Sequence, residues 1–134
     1  MAIFTKLFLL AVATGQTLAC VRATGYIVHD PLGSGGPNEA VHGELWDNGG
    51  RKCFGVSPSH PLDQDGHYTT NCDPGYYYAF SKDGAHAWYG YGGNKFEWAQ
   101  SISRSSFDCD FCVGKSGHCA QCTSIDWSDS LYGC

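Results

Sequence analysis

The chain has 134 residues and a formal net charge of −5, and 16% of its residues are charged. Its eight basic residues form no run, so long-range attraction to nucleic-acid phosphates or to anionic lipid headgroups is not expected. No stretch reaches the roughly 20 apolar residues that a membrane-spanning helix needs. The length suits a single domain, and we expect a monomer with neither a nucleic-acid nor a membrane partner.

Residues 1–19 have the three-part pattern of a secretory signal peptide. Lys6 supplies a positive charge, residues 7–14 form a short apolar run (LFLLAVAT), and small residues lead up to Ala19. We therefore predict cleavage after Ala19 and a secreted, extracellular protein made of residues 20–134. Removal of Lys6 with the signal takes one positive charge away, so the net charge changes from −5 to −6.

The pattern of residues 20–100 predicts short β-strands joined by tight turns. The predicted strands cover residues 23–28, 40–46, 51–56, 67–72, 75–81, 85–91 and 95–100. The strongest turn signal is the Asp-Asn-Gly-Gly sequence at 47–50, which is typical of a two-residue hairpin. In the strand at 40–46, alternation puts Val41 and Leu45 on one face. His42 and Glu44 then share the opposite face. Strands at this spacing predict a mainly β fold, a small antiparallel β-sandwich or barrel.

Residues 101–134 are rich in Ser, Asp, Gly and Cys, and we predict a loop-rich, disulfide-bonded tail that packs on the strand-rich part. The cysteines, all after residue 19, are Cys20, Cys53, Cys72, Cys109, Cys112, Cys119, Cys122 and Cys134. An even number in a secreted chain predicts four disulfides, whose pairing the sequence leaves open. The two Cys-x-x-Cys units also offer the four thiolates of a zinc site, but an oxidising compartment favours disulfides. We expect no metal and no cofactor.

Tyr and Trp residues crowd into residues 76–98, where strand alternation must leave some of them outside the core. Both side chains combine flat apolar area with a polar edge, which suits stacking on sugar rings or anchoring a protein partner. The predicted binding residues are Tyr76, Tyr78, Trp88, Tyr89, Tyr91 and Trp98. The alternative is that these aromatic residues only fill the core.

Four polar residues, His67, Glu97, Arg104 and His118, occur in an order that resembles the secreted fungal ribonucleases of the T1 type. The resemblance implies acid–base chemistry at a ribose 2′-hydroxyl, carried by a carboxylate and imidazoles. His67, Glu97 and His118 are therefore the catalytic candidates. The alternative is that they are solvated or hydrogen-bonded surface side chains.

A signal segment, a short mature chain, eight cysteines and abundant Gly and Tyr together resemble the small cysteine-rich secreted proteins of filamentous fungi, many of them effectors. The resemblance implies a non-enzymatic, virulence-type protein that binds a host component through its surface. The expected partner is a host protein or a cell-wall polysaccharide. Two alternatives stay open: an extracellular carbohydrate-binding module, and a secreted ribonuclease-like hydrolase.

Overall fold

The computed structural model describes residues 20–29, 39–57, 62–112, 119–131 and 134, and for residues 109–112 and 119–120 it describes the backbone alone. The predicted signal segment, residues 1–19, and the catalytic candidate His118 lie outside the described residues. Within those ranges, no helix has the length and hydrophobicity that crossing a membrane requires.

Ten strands make up the described chain. They are β1 (Val21–His29), β2 (Glu39–Asp47), β3 (Gly50–Phe54), β4 (Tyr68–Thr69), β5 (Asn71–Cys72), β6 (Tyr76–Phe80), β7 (His86–Tyr91), β8 (Asn94–Ala99), β9 (Ile102–Cys112) and β10 (Cys119–Leu131). They form a six-stranded sheet in the order β5-β3-β2-β1-β10-β9 and a four-stranded sheet in the order β4-β6-β7-β8. All neighbouring strands are antiparallel, and the two sheets pack together. The prediction of a mainly β sandwich is confirmed.

The hairpin predicted at residues 47–50 is present between β2 and β3. Asn48 and Gly49 both have positive φ, 49° and 80°, which is the backbone that a tight two-residue hairpin requires. The alternation predicted for the preceding strand is also present, because Leu45 is fully buried while His42 and Glu44 lie together on the opposite, outer face.

The predicted strand at residues 67–72 is divided between the two sheets. Tyr68 pairs with Phe80 in the four-stranded sheet, whereas Cys72 pairs with Cys53 in the six-stranded sheet and forms a disulfide with it. Thr70 lies between the two segments and is buried. Its hydroxyl donates a hydrogen bond to the carbonyl oxygen of Tyr78 at 3.0 Å, which holds the chain where it passes from one sheet to the other. This crossing carries the chain from one layer to the other.

Two paired glycines make room for the largest rings of the core. Gly25 of β1 lies opposite both Gly43 of β2 and Trp127 of β10. A Cβ at Gly25 would overlap the Trp127 ring, and a Cβ at Gly43 would lie 2.5 Å from Cε1 of Phe80. The rings of Phe80 and Trp127 therefore fill the space above two strands that carry no side chain at this level, with their centroids 4.7 Å apart.

Most of residues 101–134 differ from the loop-rich tail that we expected. They form β9 and β10, and β10 pairs along its length with β1, from Val21 opposite Leu131 to His29 opposite Thr123. The small polar residues have weak strand preference, but the backbone hydrogen bonds of β10 to β1 and of β9 to β10 decide their conformation. Because β1 and β10 are antiparallel neighbours, the start of β1 lies beside the end of β10, and Cys20 is joined to Cys134 by a disulfide.

Candidate functional site

A groove of about 490 Å³ lies at the end of the four-stranded sheet where β6 begins and β7 ends. It is open to solvent along one side and is walled by the loop that precedes β4. The lining residues are Asp63, Asp65, His67, Gly75, Tyr76, Tyr77, Trp88, Tyr89, Gly90, Tyr91, Gly93, Asn94 and Lys95. We call this the aromatic groove.

The floor of the aromatic groove is built from tyrosines at the ends of β6 and β7. Tyr76 and Tyr91 are cross-strand partners and stack with ring centroids 4.4 Å apart at an interplanar angle of 23°. Tyr91 is 50% exposed and Tyr77 is 38% exposed, and both line the groove, Tyr91 on the side of the sheet that carries Tyr76 and Tyr77 on the other side. Since Tyr77 lies opposite Gly90, which has no side chain, the neighbouring strand does not cover its ring.

One wall is held in place by Asp63. Its Oδ1 accepts hydrogen bonds from the backbone N–H groups of Asp65 at 3.0 Å and His67 at 2.8 Å, and its Oδ2 accepts one from the Tyr77 hydroxyl at 2.9 Å. Burial alone would raise the pKa of this carboxyl, but the hydrogen bonds and the nearby His67 outweigh it and lower the pKa from its usual 3.8. The ionised carboxylate therefore fastens the loop to β6.

The same wall carries a stacked pair of rings. The imidazole of His67 lies parallel to the indole of Trp88, with centroids 3.9 Å apart and an interplanar angle of 21°. The Nδ1 of His67 is 3.2 Å from Oδ2 of Asp63. Trp88 in turn donates its Nε1 proton to Glu97 at 3.1 Å. Each ring is thus fixed both by stacking and by a polar contact, which makes the wall a pre-formed surface.

The predicted binding residues separate into two groups. Tyr76, Trp88, Tyr89 and Tyr91 line the aromatic groove. Tyr78 does not, because it is fully buried and accepts a hydrogen bond from Trp127 Nε1 at 3.0 Å. Trp98 is partly buried against the core and donates to Asp129 at 3.2 Å. Both face the sandwich interior, as does Tyr89, the cross-strand partner of Tyr78, which is only 4% exposed where it lines the groove.

Residues that the sequence analysis did not select also line the aromatic groove. Alternation indicates Tyr77, because a buried Tyr78 forces its neighbour outward. Asp63, Asp65, Asn94 and Lys95 come from turns and strand ends, and no local pattern distinguishes them from other polar turn residues.

The catalytic candidates are held by structural partners. His67 covers the face of the Trp88 indole, and Glu97 accepts from its Nε1. Glu97 borders a separate cavity of about 320 Å³ and does not line the aromatic groove. Among the described contacts, none joins His67 to Glu97, and His118 lies outside the described residues.

A second histidine–carboxylate pair lies on the outer face of the six-stranded sheet. Nε2 of His42 is 2.9 Å from Oε1 of Glu44, and the imidazole stacks on Tyr26 with centroids 5.5 Å apart. Phe54 meets the same imidazole edge-on at 5.0 Å. This pair is far from the aromatic groove in the fold, because it lies on the outer face of the other sheet.

The three side chains of Asp63, Asp65 and His67 bring possible metal-ligand atoms within 4.8 Å of one another. Both oxygens of Asp63 already accept hydrogen bonds from the protein, so we interpret the cluster as a loop closure. Of the four cysteines in the two Cys-x-x-Cys units, Cys122 is disulfide-bonded, which excludes a zinc site built from all four thiolates. The side chains of Cys109, Cys112 and Cys119 lie outside the described set.

No protein-family model matches this chain, and no curated protein or solved structure matches it at a significant level.

Proposed function

We propose that this chain is a secreted, non-enzymatic binding protein of the effector type, and that it binds a cell-wall polysaccharide in the aromatic groove. The observation that carries the proposal is the pairing of two exposed tyrosine rings, Tyr77 and Tyr91, with fixed polar groups in one pre-formed groove. Sugar recognition needs both features, because a pyranose has an apolar C–H face and a rim of hydroxyl groups.

The charges of the groove favour a neutral polymer. Asp65 offers acceptors for sugar hydroxyls, and Asn94 offers both a donor and an acceptor. Besides His67, Lys95 is the single basic side chain among the described lining residues. An acidic polysaccharide would meet two carboxylates and little compensating positive charge, so glucan-type or chitin-type chains fit better than uronic-acid polymers.

Secretion is supported by the disulfides. The Cys20–Cys134 and Cys53–Cys72 bridges belong to an oxidising compartment, since the cytosol keeps thiols reduced. They also suit a binding protein that must survive extracellular proteases, because the bridges restrict the unfolded chain on which proteases act.

A non-enzymatic role is supported by how the polar groups are used. The Asp63 carboxylate and the His67 imidazole hold the wall, and Glu97 holds Trp88. A general acid or base must be free to reach a substrate proton. These side chains instead form the contacts that keep the groove rigid.

The test is a pull-down of the mature chain with insoluble cellulose, chitin and β-1,3-glucan. Tyr91→Ala should reduce the retained fraction at least tenfold on whichever polymer binds, because the variant removes a half-exposed stacking ring. Tyr26→Ala is the matched control, since Tyr26 is 40% exposed on the other sheet. Retention by none of the three polymers, or equal retention of the two variants, would refute the proposal.

A further inference from the structure

A second surface lies on the outer face of the six-stranded sheet, on the opposite layer from the aromatic groove. Arg22 of β1 is paired with Trp46 of β2, which is paired with Arg51 of β3. The outward side of the sheet therefore carries two arginines with an indole between them. Because adjacent strands are about 4.8 Å apart, the backbones of the two arginines are about 10 Å apart.

Both guanidinium groups rest on aromatic rings. Cζ of Arg22 is 5.0 Å from the centroid of the Trp46 ring, and Cζ of Arg51 is 4.3 Å from that of Phe54. Stacking of this kind restricts the long side chain but leaves the N–H donors at the guanidinium edge available. The arginines are thus ordered before any partner arrives.

No carboxylate among the described residues neutralises either guanidinium. Throughout the described part of the chain, no Asp or Glu oxygen lies within 4.0 Å of Arg22 or Arg51, and the ion pairs use His29, His42, Lys52 and His67 instead. The absence is notable in a chain with 13 acidic residues and a net charge of −5. Glu44, on the same face, is bonded to His42.

Exposed aromatic side chains extend the surface. Phe54 is 47% exposed and Tyr26 is 40% exposed, and the His42 imidazole lies between them in contact with both rings. Trp, Tyr and Arg are the residues that carry most binding energy at protein–protein interfaces. We name the surface formed by Arg22, Tyr26, Trp46, Arg51 and Phe54 the arginine face.

We propose that the arginine face docks an acidic segment of a partner protein, with two carboxylates bound by Arg22 and Arg51 and an apolar side chain over Trp46. A carboxylate matches the planar fork of a guanidinium and makes two parallel hydrogen bonds with it. The proposal concerns a different surface from the aromatic groove and does not depend on a sugar ligand there.

A polyanion fits this surface less well. Binding to nucleic acid usually rests on many phosphate contacts, and the arginine face has two arginines on a chain whose net charge is negative. A short segment with two carboxylates needs only the local pair of guanidinium groups and the adjoining rings. The charge pattern therefore selects a protein segment over a nucleic acid or a sulfated glycan.

The experiment uses the full mature chain and an array of immobilised hexapeptides. Each peptide has two Glu residues separated by one to three positions, with Phe or Leu between them, and each has a matched peptide in which Gln replaces Glu. We expect retention on Glu peptides at least tenfold above retention on the Gln peptides. Heparin and a 20-nucleotide single-stranded DNA serve as polyanion competitors.

Variants locate the binding. Arg22→Gln/Arg51→Gln should lose at least tenfold in peptide retention, and Arg22→Lys/Arg51→Lys should lose an intermediate amount, since lysine keeps the charge but not the fork. Lys82→Gln, which removes one positive charge from an exposed turn, is the surface-charge control and should bind as the parent does. Circular dichroism and the denaturation midpoint should be unchanged, because both arginines are exposed.

Three results would overturn the proposal: equal retention on Glu and Gln peptides, unchanged retention by the double glutamine variant, or no retention above background on any peptide. Heparin or DNA binding tighter than every peptide and lost in the double glutamine variant would also overturn it, by assigning the face to a polyanion.

Discussion

Replacing Tyr89 with phenylalanine tests how the two sheets are held together. Tyr89 of β7 is 4% exposed, and its hydroxyl donates to Oδ2 of Asp47, at the end of β2, across 2.7 Å. Burial and this hydrogen bond raise the pKa of the tyrosine, so the phenol stays protonated and donates throughout the pH range in which the protein is studied. The bond thus joins the four-stranded sheet to the six-stranded sheet with a charged acceptor.

The expected cost follows from the acceptor left behind. Asp47 is only 8% exposed. When the Tyr89 hydroxyl is removed, the side-chain hydrogen bond that remains to Asp47 among the described contacts comes from Asn48 Nδ2 at 3.0 Å. A hydrogen bond to a charged, buried group contributes about 1.5–3 kcal/mol. We expect Tyr89→Phe to lower the free energy of unfolding by about 2 kcal/mol, and to lower Tm by roughly 8 °C for a domain of this size.

Urea unfolding followed by fluorescence measures the difference, and Tyr26→Phe, at an exposed position, should stay within about 0.5 kcal/mol of the parent. A double-mutant cycle with Asp47→Ala isolates the pair, and its coupling energy should exceed about 1 kcal/mol. A Tyr89→Phe variant as stable as Tyr26→Phe, with the same m-value, would refute the assignment of this bond as a link between the sheets.

Three further substitutions test other parts of the fold by urea unfolding. Asp63→Asn should lower the free energy of unfolding at pH 7 by about 1–2 kcal/mol. Because the folded pKa of Asp63 lies below 3.8, this difference should persist above pH 4 and vanish as the pH falls through the folded pKa. A difference that does not change with pH would contradict this expectation. Gly43→Ala should lower the free energy of unfolding by about 1–3 kcal/mol, since the new Cβ would meet a buried ring of β6. Gly50→Ala is the control and should be nearly neutral, because no heavy atom lies closer than 3.5 Å to its Cβ position. Equal effects of the two substitutions would count against the steric explanation. Cys20→Ala/Cys134→Ala opens a bridge spanning 114 positions and should cost about 4–5 kcal/mol on the chain-entropy model, and a loss below about 1 kcal/mol would rule out that model here.

Strand positions up to residue 100 were predictable because their turns are local. Asn48 and Gly49 adopt the positive φ angles that their sequence favours, and the alternation around Leu45 follows from burial of one face. The split at Thr70 was not predictable, since it depends on which sheet each neighbouring residue joins. That choice is made by partners distant in sequence, Phe80 for Tyr68 and Cys53 for Cys72.

The conformation of the two C-terminal strands was also not predictable from the local sequence. Residues 102–108 and 121–131 have few bulky apolar side chains, so their composition favours loops. Residues 121–131 are held as a strand by pairing with β1, about one hundred residues earlier in the chain, and residues 102–108 by pairing in turn with β10. Tyr76 and Tyr91 of the candidate site were predictable as aromatic strand residues. The wall built on Asp63 was not, because Tyr77, which it binds, lies 14 positions away.

The same architecture explains how a short chain keeps the two proposed binding surfaces separate. The aromatic groove is built on the four-stranded sheet and its loop, and the arginine face on the outer side of the six-stranded sheet. Between them lies a core of interlocked rings, with Phe80 and Trp127 packed over the glycines of β1 and β2. A close-packed core of this kind resists local deformation, so neither surface needs to reorganise when the other is occupied. The disulfide between Cys20 and Cys134 fixes β1 against β10 and thereby the sheet that carries the arginine face. Together, the two proposals predict a bridging role, with a polysaccharide on one layer and an acidic protein segment on the other.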